Sequence, residues 1–160
     1  ETIVYNYKPH HRWSLAGKAG YKYMLPDKAT KRVPRNDSDS LPDADTKESV
    51  NRKLGDTVQL NASANFKFLK NWAVAAGYEI AYKGQDQFSG SEGRRYDLLS
   101  KDTQSEAHRT RIGLSFDSTA SYFAKEALIP SVISYEFIDT IRGFNIERQT
   151  IHELWITLFF

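Results

Sequence analysis

The sequence predicts an all-β fold, an antiparallel transmembrane β-barrel of which about seven strands are visible. Three observations lead there. Segments of about ten residues alternate apolar and polar side chains with the two-residue period of a strand. Short turns alternate with long polar connections. Aromatic residues gather at the ends of the apolar faces, where amphipathic rings sit at headgroup level in a bilayer.

The first hairpin places Ile3, Tyr5 and Tyr7 on one face. A tight turn at Pro9 to Arg12 follows, then Trp13, Leu15, Gly17, Ala19, Tyr21, Tyr23 and Leu25, with Ser14, Lys18 and Lys22 opposite. A long loop, 26–56, rich in Asp, Ser, Lys and Arg, leads to the clearest alternation. There Val58, Leu60, Ala62, Ala64, Phe66 and Phe68 oppose Gln59, Asn61, Ser63, Asn65 and Lys67. After a short turn at Leu69 to Asn71, Trp72, Val74, Ala76, Tyr78, Ile80 and Tyr82 oppose Ala73, Ala75, Gly77, Glu79, Ala81 and Lys83. A helix would mix these sets. The second long loop, 84–107, precedes Thr110, Ile112, Leu114 and Phe116, which alternate with Arg109, Arg111, Gly113 and Ser115. The segment 118–130 is long where a short turn is due, and its part Tyr122 to Leu128 suits a helical turn. Ile133, Tyr135 and Phe137 form the next strand, and 143–148 is short where a long loop is due. The last strand sets Leu154, Ile156, Leu158 and Phe160 against Glu153, Trp155, Thr157 and Phe159. The whole, 1–160, reads as one barrel segment.

Composition narrows the function. Lys plus Arg total 22 against 20 for Asp plus Glu, a near-neutral balance that gives no argument for a nucleic-acid partner. With no cysteine, disulfide frameworks, thiolate zinc sites and cysteine nucleophiles are all removed. No run approaches the roughly 20 apolar residues of a spanning helix. Barrel strands need no such run, because only alternate residues meet lipid.

Alternation alone also fits a soluble barrel whose apolar face surrounds a ligand. The aromatic positions argue otherwise: Trp13, Phe68, Trp72, Phe116 and Phe160 fall near the short-turn rim, with Tyr23, Tyr82 and Tyr78 toward the other. The expected lipid-facing residues are Val58, Leu60, Phe66, Val74, Tyr78, Ile112, Leu114, Ile156 and Leu158. The expected lumen-lining set is Lys18, Lys22, Lys67, Glu79, Lys83, Arg109, Arg111, Glu136 and Glu153, charges that a wet interior tolerates.

Leu154, Ile156, Leu158 and Phe160 at alternate positions resemble the C-terminal signal that the barrel-assembly machinery reads. Further features carry a wider resemblance: Pro130 opening a strand, Tyr135 within it, the turn Arg142-Gly143-Phe144-Asn145, and the ending Glu153 to Phe160. With these, 122–160 is similar to the end of the outer-membrane transporter group that includes the long-chain fatty-acid channel and the channels of aromatic-hydrocarbon pathways. The resemblance implies passive, porin-like uptake of small apolar or aromatic molecules across the outer membrane of Gram-negative bacteria, in a barrel of about fourteen strands. The N-terminal hatch of that group has no counterpart in these residues, so its ligand-binding residues do not carry over. A non-transport alternative is a small outer-membrane barrel serving as anchor or adhesin through its loops.

Candidate chemistry is sparse, and neither catalytic residues, a metal site nor a cofactor is expected. His10 and His11 are adjacent in a turn and need a further ligand to hold a metal. His108 beside Ser105 and Glu106 lacks a nucleophile elbow, which leaves an outer-membrane hydrolase as the weakest hypothesis. Asp37, Asp39, Asp43 and Asp45 lack the glycine and terminal glutamate of a calcium loop. With Lys28, Lys31, Arg32, Arg35, Lys47, Arg52 and Lys53 they read as a hydrated, mobile loop facing lipopolysaccharide headgroups, as do Arg94 and Arg95. Counting directions, the strand ending at Lys8 and the one ending at Phe160 reach the same rim, so the visible number is odd. Single-chain bacterial barrels usually have an even number. The wall is therefore expected to continue in a further barrel segment or second chain, the rival being a complete eight-stranded barrel with its extra strand in 118–130.

Overall fold

A strand that alternates apolar and polar side chains can satisfy its backbone N–H and C=O groups only against a neighbour. The computed structural model, which describes residues 1–39 and 41–159, pairs seven such strands in one antiparallel sheet. In chain order the strands are β1 (Thr2–His10), β2 (Trp13–Lys22), β3 (Asp27–Arg32), β4 (Lys47–Lys53), β5 (Thr57–Lys67), β6 (Trp72–Lys83), β7 (Gln87–Ser89), β8 (Ser105–Asp117), β9 (Ser131–Phe144) and β10 (Thr150–Leu158). The helices are α1 (Tyr96–Ser100) and α2 (Thr119–Phe123).

The main sheet runs β1-β2-β5-β6-β8-β9-β10, each strand beside the one that precedes it in the sheet along the chain. This is a meander. The turn at His11 and Arg12, the turn after Lys67 and the segment holding α2 lie at one rim, and the long connections lie at the other. Among the described residues the sheet is open: β1 pairs only with β2, and β10 only with β9.

Three expectations change. First, 118–130 holds α2 and no strand, so the eighth strand of the closed alternative is absent there. The helical turn begins at Thr119, earlier than expected, because the Asp117 carboxylate accepts the Thr119 N–H and starts it. Second, the long loops are ordered. Segment 26–56 contributes the hairpin β3–β4 and 84–107 contributes β7, which adds to β4, making a second antiparallel sheet β3-β4-β7. Third, β9 extends to Phe144, because a register shift between His108 and Arg109 of β8 lets Arg142 pair with His108.

Burial separates the two sheets. Val33 and Val50, both fully buried, belong to the small sheet and its flank, together with Thr46 in the 3-10 turn Ala44–Thr46. In the main sheet Ala107 is the one buried hydrophobic residue among those described. Its larger apolar side chains stand in the open: Leu60 is 46% exposed, Ile112 59% and Ile156 59%.

Candidate functional site

Register assigns each side chain to a face, since directly paired residues share one. One row across the polar face reads Lys18, Asn61, Glu79, Arg109 and Thr140. The next reads Ala16, Ser63, Gly77, Arg111 and Ile138, and the one below it Ser14, Asn65, Ala75, Gly113 and Glu136, with Glu153 opposite Glu136 on β10. Six of the nine residues expected to line a lumen thus fall within three consecutive rows. Lys22 and Lys83 stand toward the long-loop rim and Lys67 toward the short-turn rim, all on the same face.

Two ion pairs cross this face. Arg109 Nη1 donates to Glu79 Oε1 at 3.0 Å, and Arg111 Nη1 lies 3.3 Å from Glu136 Oε2. Among the described residues no ion pair is formed by Lys18, Lys22, Lys67 or Glu153. The cations lacking one are on β2 and β5, and the acid lacking one is on β10.

The polar face is concave. One recess of about 200 Å³ is lined both by Asn61 on β5 and by Ile151 on β10. Another of about 180 Å³ is lined by Ser14 on β2 and Glu136 on β9. Each spans four strand steps, which in a flat sheet separates the two ends by about 19 Å. Recesses so small reach across only if the sheet curls toward its polar side.

The apolar face is the outer one. Val58, Leu60, Phe66, Val74, Tyr78, Ile112, Leu114, Ile156 and Leu158 all lie on it. Trp13 packs on Phe66 with ring centroids 4.6 Å apart, and Trp72 on Phe116 at 5.0 Å, both at the short-turn rim. Mid-sheet the face is low, where Gly17, Ala62 and Ala64 form a trough between Tyr5, Tyr7 and Tyr78. Phe160 lies outside the described residues. Leu154, Ile156 and Leu158, the rest of the expected assembly signal, share the apolar face of the edge strand β10.

The apolar band crosses the strands obliquely. On β5 it begins at Val58; on β10 it begins at Leu154, which register traces through Tyr135, Leu114 and Val74 to Phe66, eight residues further along β5. That is about two residues per strand step, or an obliquity of about 55° at 3.3 Å per residue and 4.8 Å per strand. At the other rim the shift from Trp13 to Leu158 is about one residue per step, or about 30°. The two values bracket the tilt of about 35 to 45° found in membrane barrels.

Polar groups on the outer face lie above this boundary, and sequence reasoning missed their pairing. Tyr78 Oη and His108 Nδ1 share a hydrogen bond of 2.6 Å, and His108 Nε2 meets the Glu106 carboxylate. Tyr135 Oη and His152 Nδ1 share another of 2.7 Å. The signal was the common face of Tyr78 and His108, readable only once β6 and β8 are known to be neighbours. Ser105 and His108 lie on opposite faces, which removes the hydrolytic pair.

The long-loop rim is a tied collar. Asp86 accepts from the Gly55 N–H at 2.7 Å and from Lys83 Nζ, while its own N–H donates to Thr103 Oγ1 at 2.8 Å. Asp56 accepts from the Met24 N–H at 3.0 Å and the Tyr21 hydroxyl at 2.7 Å, which hold its carboxyl below the usual range, the Met24 amide most of all. Asn145, at the β9–β10 turn, donates to the carbonyls of Asp102 and Gln104. The aspartates of the first long loop bind arginines: Asp45 meets Arg35, Asp37 meets Arg95, and Asp39 accepts the Arg35 N–H at 3.2 Å. Hydrogen bonds to Asp97, then the charge of Asp37, raise the Arg95 pKa further above its usual range. Among the described residues no three His, Asp or Glu side chains could hold a metal, His10 and His11 included. The chain matches no family model and no curated protein.

Proposed function

We propose that the seven-stranded sheet is a wall of a transmembrane β-barrel in a bacterial outer membrane, and that the barrel is a channel for passive uptake of small molecules. The observation that carries this reading is the sheet's two-sidedness. Its concave face is charged and wettable, while its convex face is apolar, exposed and bordered by aromatic pairs at one rim. A soluble sheet sends its apolar face inward to a core, and exposed apolar patches of this extent mark contact with lipid or a partner. The oblique band adds a second argument, since a bilayer cuts tilted strands at a constant height.

The lipid bilayer and lipopolysaccharide are the surrounding partners, and the assembly machinery reads the β10 end. Edges left open in hydrocarbon cost several kcal/mol per unsatisfied backbone group, so β1 and β10 are completed by a further barrel segment or second chain. The resemblance of 122–160 to fatty-acid and aromatic-hydrocarbon channels favours small apolar or aromatic cargo. Against that, the charged rows on the concave face favour polar cargo.

The absence of native cysteine makes the test direct. Cysteines introduced at Leu60 and Ile112 should resist a water-soluble maleimide in intact outer membranes, while those at Ser63 and Ser115 should react. Protein purified from those membranes in mild detergent should then conduct in planar bilayers. Equal labelling of both faces refutes the membrane wall, and absence of conductance refutes the channel.

A second reading has its own observation. The small sheet has its own core at Val33 and Val50, as expected of a presented binding module on a barrel anchor. Loss of partner or cell binding on deleting 27–53, with conductance absent throughout, would establish it instead.

A further inference from the structure

We infer that the concave wall carries a subsite for small organic carboxylates, with the Arg111 guanidinium as its anion-binding group. The inference rests on reading the sheet as a channel wall, and it names the class of solute that wall takes.

Arg111 sits in the middle of the charged rows, on the line where the two concave recesses meet. Among the described residues its single ionic contact is the 3.3 Å approach of one nitrogen to Glu136, and its side chain is 46% exposed. A guanidinium has five N–H donors in a planar fork, so most of this fork faces the groove without a protein acceptor among the described residues. The space before it is cleared. Directly across on β6 stands Gly77, flanked along its row by Ser63 and Ala16. A β-carbon added at Gly77 would lie 3.5 Å from Ser63 Cβ and 3.7 Å from Arg111 Cβ, so the glycine is not required by crowding and leaves a notch that a larger residue would fill.

The neighbours suit a planar anion. Asn61 lines the recess, and Glu79 is already engaged by Arg109 and so does not compete for Arg111. Glu136 holds one side of the fork and discourages a doubly charged ligand by like-charge repulsion. A carboxylate accepts two parallel N–H bonds from such a fork, a geometry a neutral amide lacks.

The experiment is single-channel recording on protein purified from membranes in mild detergent, with benzoate, its uncharged isostere benzamide, or inorganic phosphate added to the bath. Benzoate should interrupt the current where equal benzamide does not, and phosphate should be weaker than benzoate. Arg111→Gln should raise the half-blocking benzoate concentration about tenfold, the factor of one charge-assisted hydrogen bond, with heat-modifiable gel migration retained as proof of folding. Gly77→Leu should also weaken benzoate block, because it fills the notch without changing charge. Equal block by benzoate and benzamide, phosphate matching benzoate, or block untouched by Arg111→Gln overturns the carboxylate subsite and leaves the channel standing. Absence of any current overturns the channel reading itself.

Discussion

Gly55 and Gly84 pack backbone to backbone so closely that a β-carbon on Gly55 would lie 1.8 Å from the Gly84 carbonyl oxygen. This contact joins the ends of the two long connections just above β5 and β6, where the Gly84 N–H also donates to the Asp56 carbonyl at 2.9 Å. Only a residue without a side chain fits, because backbone cannot rotate away as a flexible side chain does. Gly55→Ala should therefore force the strands apart and destabilise the collar by about 1 to 3 kcal/mol, the usual range for overpacking. Limited proteolysis of 26–56 and 84–107 should show faster cleavage, while Gly17→Ala, which meets nothing within 4 Å, should leave it unchanged.

On the membrane reading proposed above, an arginine placed on the convex face would meet lipid. Leu60→Arg or Leu114→Arg should destabilise the protein in bilayers by about 2 to 4 kcal/mol, whereas Ser63→Arg or Ser115→Arg, on the same strands but on the concave face, should cost little. Urea titration of protein folded into vesicles measures both. Equal costs on the two faces would remove the lipid from the account.

The strands of the main sheet were legible because each has one face wholly unlike the other. Thr57–Lys67 and Trp72–Lys83 alternate along nearly their whole length, and the structure starts and ends them within about two residues of the expected limits. The small sheet was not legible. Asp27–Arg32 is charged at four of its six positions, carries one apolar residue, Ala29, and shows no alternation. Its buried residues are Val50, opposite Ala29 in the β3–β4 pairing, and Val33, which follows β3 and donates its N–H to the Thr46 carbonyl, while β7, a strand of three residues, completes the sheet. Charge density there read as solvation, and these side chains do stay partly exposed; what the sequence left out is that Arg52–Asp27, Arg35–Asp45 and Arg95–Asp37 also pair with one another. On the concave face the sequence supplied the residues but not the pairing, since Glu79 meets Arg109 only once β6 and β8 are known to be neighbours.

The collar should loosen in acid. Asp56 has its carboxyl held below its ordinary value of 3.8 by the Met24 amide and the Tyr21 hydroxyl. A carboxylate depressed in the folded state contributes stability that is fully present above its unfolded value and is lost as pH falls through the lower folded one. Protection of the Met24 amide against hydrogen exchange should thus be constant from neutral pH down to about pH 5 and decline below pH 4. Asp56→Asn should show weaker protection at neutral pH and lack the acid-dependent step. Acid loosening that persists in Asp56→Asn would assign it to other carboxylates.

The last prediction concerns the open edges. Every neighbouring pair in the main sheet is antiparallel, and seven strands is an odd number, so β1 and β10 run in the same direction, both toward the short-turn rim. On the membrane reading proposed above, a second copy rotated about an axis normal to the bilayer would bring β10 of one molecule against β1 of the other in parallel. That pairing breaks the antiparallel order of membrane sheets and gives slightly weaker hydrogen bonding per residue. Closure that keeps the order needs an intervening element with an odd number of strands, supplied by a further segment or a different chain. Disulfide scanning decides it, because bridged α-carbons must lie within about 7 Å. Cysteines paired along β1, at Val4 or Asn6, with cysteines along β10, at Glu153 or Trp155, should give no disulfide-linked species in outer membranes under oxidation. A cross-link at any register would place β1 directly beside β10, in another copy or in the same chain, and would leave no room for the odd-stranded partner.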